Sequence, residues 1–264
     1  MTRRRLDAEL VRRGLVASRV EAQEAVRAGL VTVGGSTARK VASLVADDAP
    51  LDLVGATRRF VSRGGEKLAA ALARFHIDPA GLDCLDAGAS TGGFTDCLLQ
   101  AGARHVLSVD VGYGQFAWRL RGDERVTVLE RTNVRDLVPD DLPYRPSLVA
   151  ADLSFISLRS VLPTLSAVAA GQAEGVFLVK PQFEAGRDHV GRNGVVREPE
   201  TWARVLTDVT RSAAGAGFAP RGLMASPVRG PAGNVEFLLW ARRAAAPASI
   251  DVEAAVAEGL GVAD

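Results

Sequence analysis

The sequence predicts an α/β fold: a doubly wound, mostly parallel sheet with helices on both faces, preceded by a small α/β domain. Three observations predict it. From about residue 60, short apolar runs alternate with helical stretches, the pattern of strands joined by crossover helices. The first of these runs opens into a glycine-rich turn and a helix, "DAGASTGGFTDCLL" (Asp86 to Leu99). The front of the chain differs in charge: residues 1–70 carry 13 Lys/Arg against 8 Asp/Glu, a net of +5, and the remainder nets −4.

Bulk properties set the class. The 264 residues are 47% hydrophobic and 24% charged, which suits a soluble globular chain of one ordinary domain plus a small one. No apolar run approaches the roughly 18 residues of a membrane-spanning helix. The N-terminus "MTRRRLDAELVRRG" is basic with no apolar stretch behind it, unlike a secretory signal. Cys84 and Cys97 fit neither CxxC nor zinc-finger spacing and lie in apolar settings, so buried free thiols, a cytoplasmic location and no metal site are expected.

The first sixty residues read as one compact unit, 1–57. Leu6, Leu10 and Val11 mark a first helix that Gly14 stops. Ser18 caps a second, with Glu21 completing a capping box; Val20, Ala22, Ala25 and Val26 form its apolar side and Gly29 its stop. Leu30, Val31 and Val33 form a strand entering a turn at Gly34-Gly35. Arg4, Arg5, Arg12, Arg13, Arg19, Arg27, Arg39 and Lys40 place cations on one surface, suited to an anionic partner or simply to solvent. The pattern Arg5-Leu6-Asp7, Leu10, Gly14-Leu15, Ser18-Arg19, Ala22, Val26, Gly29, Val31, Val33 and Gly35 resembles the RNA-binding module first described in a ribosomal small-subunit protein. Gly34 replaces that module's usual Asn.

A polar, basic segment, "ATRRFVSRGGEK" (Ala56 to Lys67), reads as a linker, assigned to 58–64, with the large domain over 65–264. Strands are expected at Leu82–Leu85, His105–Val109, Val126–Leu129, Leu148–Ala151 and Val176–Val179. "EPETWARVLTDVTRSAAGAG" is an amphipathic helix with Pro199 in its first turn and Trp202, Val205, Leu206 and Val209 on one face. "NVEFLLWARR" is a late strand, and the Ala-rich tail holds one final helix.

The glycine turn is neither GxGxxG nor a P-loop. In an open α/β sheet the ligand sits at the carboxyl ends of the strands, at the point where strand order reverses. Asp86 at the head of the turn is badly placed for a pyrophosphate. It suits a ligand with an ammonium group and no phosphates, such as S-adenosylmethionine, whose methionine part would lie on the backbone of Gly88, Gly92 and Gly93. Asp110 ends "HVLSVD", 24 residues on, where an acid takes ribose hydroxyls. Asn133 falls near the adenine, and Asp152, ending "LVAAD", lies at the mouth of the site.

Methyl transfer from a sulfonium to a hydroxyl needs an aligned nucleophile and a base. Lysine serves when burial or a neighbouring cation disfavours its charged form. The chain has three lysines, and only Lys67 and Lys180 lie beyond the front module. Lys180 ends "GVFLVK", Asp152 ends the strand before it, and Glu236 is an acid within the apolar run "NVEFLLW".

On the motifs "SRGGEKL", "VAADLSFISL", "LVKPQFE" and "GNVEFLLW", with "DAGASTGGFT" and "DVGYGQ", residues 3–243 resemble the TlyA family of rRNA 2′-O-methyltransferases, also labelled hemolysins. The catalytic domain of that family is similar to the FtsJ-type ribose methyltransferases. The resemblance implies a Rossmann-like methyltransferase domain and a Lys-Asp-Lys-Glu tetrad at Lys67, Asp152, Lys180 and Glu236. It implies S-adenosylmethionine contacts that include Ser90, Phe94 and Val111, and a cytidine ribose of 16S and, in many members, 23S rRNA as substrate. Lys180 is then the base, Asp152 its orienter, and Lys67 and Glu236 position the hydroxyl. Arg4, Arg5, Arg19, Arg39, Lys40, Arg59 and Arg63 are the expected RNA contacts, in ribosomal subunits and with no membrane. Neither the nucleotide nor the oligomeric state is legible.

Three rivals are a membrane-active hemolysin, a non-catalytic assembly factor and a base methyltransferase. The first lacks a membrane element, the second does not need an intact tetrad, and the third would show an Asn-Pro-Pro-Tyr or catalytic Cys motif. His76, His105 and His189 have no triad or ligand spacing. "FEAGRDHVGRNG" (Phe183 to Gly194) is a lid over the RNA or an ordinary surface loop, and Glu184 is a carboxylate near the site without a role.

Overall fold

A computed structural model of the chain describes residues 3–13, 15–16, 18–46, 49–53, 59–246 and 248–263. The front unit contains β1 (Arg3–Arg5), α1 (Leu6–Arg12), α2 (Arg19–Arg27), β2 (Val31–Val33), β3 (Ser36–Thr37), β4 (Leu44–Ala46) and β5 (Leu51–Leu53). β1 pairs with β4, and β2 lies between β3 and β5. Leu6, Leu10, Ala22, Val26 and Val31 form its core. The expected cap forms, with Ser18 Oγ accepting from the Glu21 amide at 3.2 Å. Gly14, expected to stop the first helix, lies outside the described residues.

The larger unit continues with α3 (Gly64–Phe75), β6 (Asp83–Ala87), α4 (Gly93–Gln100), β7 (His105–Val109), α5 (Trp118–Arg121) and β8 (Val126–Leu129). Then follow β9 (Leu148–Ala151), α6 (Leu162–Val168), β10 (Glu174–Val179), α7 (Pro181–Glu184), α8 (Pro199–Gly215), β11 (Phe218–Ala225), β12 (Phe237–Arg243) and α9 (Val252–Ala263). The seven-stranded order is β11-β12-β10-β9-β6-β7-β8. β10, β9, β6, β7 and β8 are parallel; the four inner strands are buried over most of their length, whereas the edge strand β8 is partly exposed. One face packs on Leu68, Leu72, Phe94 and Leu98 from α3 and α4, the other on Leu162, Trp202, Val205 and Leu206 from α6 and α8.

β11 is absent from the alternation reading, because Pro220 and Gly222 interrupt its sequence signal. The structure accommodates both. β11 is an edge strand, where a missing donor is tolerated, and its pairing with β12 shifts register between Pro220 and Gly222. β12 runs antiparallel to both neighbours, with Phe237 opposite Val179. The start of β12 therefore lies at the same sheet edge as the ends of the parallel strands. Cys84 and Cys97 are buried free thiols, each pushed up to about 12 by desolvation.

The stretch read as a linker is docked for part of its length. Residues 54–58 lie outside the described ones. Phe60, however, is 2% exposed, and the Val61 amide donates to Asp96 Oδ2 at 2.7 Å. A Cβ on Gly65 would fall 2.3 Å from Phe60 Cγ, so ring and helix start are in closest packing. Its polar neighbours Arg58, Arg59 and Ser62 hide this anchor from a composition-based reading. Phe60→Ala is expected to destabilise the protein by about 3–5 kcal/mol in a denaturant titration. A loss within roughly 0.5 kcal/mol, as for an exposed linker position, would contradict the packing.

Candidate functional site

Three parallel strands end in register, and their next residues form the site. Ala87 pairs with Val109 on one side and with Ala151 on the other, so Gly88, Asp110 and Asp152 follow side by side. A cleft of about 440 Å³ opens between them, walled by Gly88, Ser90, Asp110, Val111, Asn133 and Asp152. A second, of about 240 Å³, is lined by Arg63, Lys67, Gly93, Phe94, Asp152 and Lys180. The two share Gly88, Ser90, Asp152 and Ser154, so a ligand in the first reaches the second there.

The larger cleft falls in the size range of small-molecule sites, roughly 300–1,000 Å³. Asp110 is fixed by the Ser90 amide (2.8 Å to Oδ2) and the Gly112 amide (2.6 Å to Oδ1), and the lone pairs left over on its carboxylate suit ribose hydroxyls. Asn133 Oδ1 is held by the Arg135 amide at 3.0 Å. The turn from Asp86 to Leu99 carries no Lys or Arg. These walls fit a nucleoside without phosphates, as S-adenosylmethionine is.

Two expectations about the turn are corrected. Asp86 does not face the cleft. Its side chain is fully buried, with Oδ2 accepting from the Thr95 amide (2.8 Å) and hydroxyl (2.6 Å), and that hydroxyl lies 2.7 Å from Ser108 Oγ. Oδ2 thereby secures the first turn of α4, while Oδ1 is buried without a hydrogen-bond partner among the described residues. Gly92 and Gly93 are closely packed against the protein, although Gly93 also lines the smaller cleft. A Cβ on Gly92 would meet Leu120 at 2.6 Å, and one on Gly93 would meet Ser62 Oγ at 2.1 Å. Of the three glycines only Gly88 stands in the larger cleft; at φ +87°, its Cβ would strike the Asp152 carbonyl at 2.4 Å.

The four residues of the expected tetrad converge as two ion pairs. Lys180, one residue beyond β10, places Nζ 2.6 Å from Asp152 Oδ1 and donates to Ser154 Oγ at 2.8 Å. Lys67, on α3 rather than in a loop before the first strand, pairs with Glu236 immediately ahead of β12. Lys67, Lys180 and Glu236 are buried at 6%, 9% and 1% exposure, against the usual exposure of charged side chains. Glu236 Oε1 is buried without a hydrogen-bond partner among the described residues, close to Gly230 and behind Lys67, which lines the second cleft. Ser154 was missed by the sequence reading; its only signal was its place two residues after Asp152.

The expected RNA cations fall in separate places. In the front unit two fully buried carboxylates organise arginines. Asp7 takes Arg5 and Arg19 at 3.0 Å each; Glu9 takes Arg12 at 2.5 Å and Arg13 at 2.7 Å, with Arg4 at 3.8 Å. These guanidinium groups hold Asp7 below the ordinary carboxylate range and Glu9 down to about 2. Arg39 and Lys40 are exposed. Arg63 lines the tetrad cleft, whereas Arg59 lies over the Phe60 ring at 4.7 Å and lines a different cleft with His76 and Gln100. Among the described residues no group of three His, Cys, Asp or Glu could hold a metal.

Burial pushes the Asp86 acid from 3.8 up to about 7, with Asp152 and Asp110 adding in the same direction and the Thr95 bonds opposing. Folding therefore favours its neutral form. Its contribution to stability is full below about pH 4 and is lost as pH rises to about 7. Asp86→Asn should remove that loss. The melting-temperature difference between variant and parent should shift in the variant's favour from pH 5 to pH 7 and level off above. Parallel pH curves for the two proteins would exclude this environment.

The comparisons agree with this architecture. Residues 60–243 match the FtsJ-like methyltransferase family, and residues 4–48 match the S4 domain. The 16S/23S rRNA (cytidine-2′-O)-methyltransferase TlyA of Mycobacterium tuberculosis is 54% identical over 91% of this chain and 90% of its own. Hemolysin A of Brachyspira hyodysenteriae is 37% identical over 89% of this chain and 98% of its own. A solved structure of a hemolysin-named protein from Streptococcus thermophilus superposes with a TM-score of 0.82 at 40% identity, covering 99% of this chain and 97% of the other. Among the described residues no helix is long and apolar enough to cross a membrane. The chain belongs to the FtsJ-like methyltransferases and, with its S4 domain, to the TlyA family within them.

Proposed function

We propose that this protein transfers a methyl group from S-adenosylmethionine to the 2′-hydroxyl of a cytidine in 16S rRNA, with 23S rRNA as a second substrate, working on ribosomal subunits in the cytoplasm. The observation that carries this reading is the two ion pairs, Lys180–Asp152 and Lys67–Glu236, from which Lys67, Asp152 and Lys180 line the smaller cleft and Asp152 lines both. Two relatives are named for rRNA cytidine-2′-O-methylation, one on 16S and 23S rRNA and one on 23S rRNA.

Asp110 takes the ribose of the cofactor and Asn133 lies by its base. Gly88, Ser90 and Asp152 hold the region where the larger cleft opens into the smaller. The bound cofactor supplies an electrophilic methyl group. Lys180 accepts the proton of the ribose hydroxyl as its oxygen attacks, and the 2.6 Å contact to Asp152 holds the amine in place. Glu236 acts through Lys67, whose amine it holds at the wall of the smaller cleft. Lys67 balances the Glu236 charge in a site with little water. Arg63 meets a phosphate beside the target ribose. The S4 domain holds the surrounding RNA through Arg4, Arg5, Arg19, Arg39 and Lys40.

Lys180→Ala is expected to lower methyl transfer to isolated 30S and 50S subunits by at least ~100-fold, the scale of a lost general base. Cofactor affinity, read by calorimetry, should change little. Labelled methyl groups should map to one ribose per subunit, and 2′-deoxy substitution there should eliminate the signal. Full activity of Lys180→Ala would refute the assignment.

A further inference from the structure

Glu184 has no part in the reaction described above, yet its surroundings are specific. Its side chain is 2% exposed at the end of α7, four residues after Lys180. Oε1 accepts from the Leu158 amide at 2.6 Å; Oε2 accepts from Ser157 Oγ at 2.6 Å and Arg159 Nε at 3.2 Å. Arg159 Nη2 also reaches the Glu184 carbonyl at 3.2 Å. One carboxylate thus ties the segment following Asp152 to the helix following Lys180. At the other end of that segment, the Asp152 amide donates to the Ala87 carbonyl at 3.0 Å. Between the two anchors Phe155 is left-handed, at φ +64°. Such a conformation is unfavourable for a residue with a Cβ and persists only where the surrounding structure fixes it.

What this fixed segment presents to the site is Ser154. Its hydroxyl accepts a hydrogen bond from Lys180 Nζ at 2.8 Å, and Asp152 Oδ1 forms an ion pair with the same nitrogen at 2.6 Å. A neutral amine has two N–H bonds and one lone pair. Once Lys180 is deprotonated, the Ser154 hydrogen bond and the Asp152 carboxylate beside it restrict the direction of that lone pair. Without the serine the amine can rotate about its carbon–nitrogen bond, and the lone pair spends part of its time elsewhere.

We propose that Ser154 sets the direction of the Lys180 lone pair toward the substrate hydroxyl, and that Glu184 acts through Ser154 by clamping its segment. Both are positioning residues. The proposal rests on the reading of Lys180 as the base. It requires no group beyond those already in the reaction: the hydroxyl proton goes to Lys180, the oxygen–methyl bond forms, and the methyl–sulfur bond breaks.

The test compares the full-length parent with Lys180→Ala, Ser154→Ala, Ser154→Thr, Glu184→Gln and the Ser154→Ala/Glu184→Gln double variant. Steady-state methyl transfer to ribosomal subunits is combined with calorimetric cofactor binding. Ser154→Ala should lose about tenfold in kcat, the scale of a misaligned base, with KM for subunits and cofactor Kd unchanged. Ser154→Thr, which keeps the hydroxyl, should recover most of it. Glu184→Gln keeps an acceptor for Leu158 but loses the charge facing Arg159, so a smaller fall in kcat is expected. The double variant should be no slower than Ser154→Ala alone, because the two act in series. A kcat for Ser154→Ala within twofold of the parent, while Lys180→Ala is inactive, overturns the proposal. Additive losses in the double variant overturn the role of Glu184. An active Lys180→Ala instead overturns the reading on which both rest.

Discussion

The site depends on one close approach, between the backbone of Gly88 and that of Asp152. β6 and β9 are neighbours only because strand order reverses at β6, and their ends meet there without a side chain between them. The Asp152 amide bonds to the Ala87 carbonyl at 3.0 Å, and the Gly88 and Ala89 amides both reach the Val109 carbonyl, at 2.8 and 3.1 Å. Three strand ends are thereby locked by main-chain bonds. The larger cleft lies toward Asp110 and the smaller toward Lys180, and Gly88 lines both. A side chain here would strike the Asp152 carbonyl, so the strand ends would have to shift.

The second constraint is the reversed last strand. A wholly parallel sheet would put residue 236 at the opposite edge. The β11–β12 hairpin instead carries Glu236 back to the functional edge, beside the end of β10. There it meets Lys67 from α3, 169 residues earlier in the chain. A buried pair of this kind gains little stability, since desolvation offsets much of the attraction, while either member alone would be an uncompensated charge. Its retention in an otherwise apolar layer suits a site that needs both charges. Glu184 repeats the theme with different partners, a buried carboxylate satisfied by an amide, a hydroxyl and a guanidinium.

In the front unit, buried acids serve an exposed function. Asp7 and Glu9 lie beneath Arg4, Arg5, Arg12, Arg13 and Arg19 and fix their spacing, while most of these guanidinium groups remain about half exposed. An arginine already oriented by one carboxylate loses less rotamer freedom when its remaining N–H groups meet a phosphate. Cation counting along the sequence finds the charge but not this ordering, because the organising residues are anions.

The sequence by itself determined the bounds of β7, β8 and β9 and singled out the four charged residues, whereas β6 runs two residues beyond the expected Leu85 and α3 begins inside the segment read as a linker. Periodicity, turn composition and the scarcity of lysine are local properties, and each survives folding unchanged. It missed β11, where Pro220 and Gly222 erase the local signal although an edge position tolerates them. It also misread Phe60, whose burial is imposed by a helix start rather than by its polar neighbours. Tertiary structure alone decided which way side chains face. Asp86 was assigned to the ligand but turns inward to Thr95; Gly92 and Gly93 meet Leu120 and Ser62; Arg59 and Arg63, four residues apart, serve different clefts. It also decided the pairing of Lys67 with Glu236 and of Lys180 with Asp152. Those contacts depend on strand order and direction, which are set by packing across the whole sheet and leave no mark in any short stretch of chain.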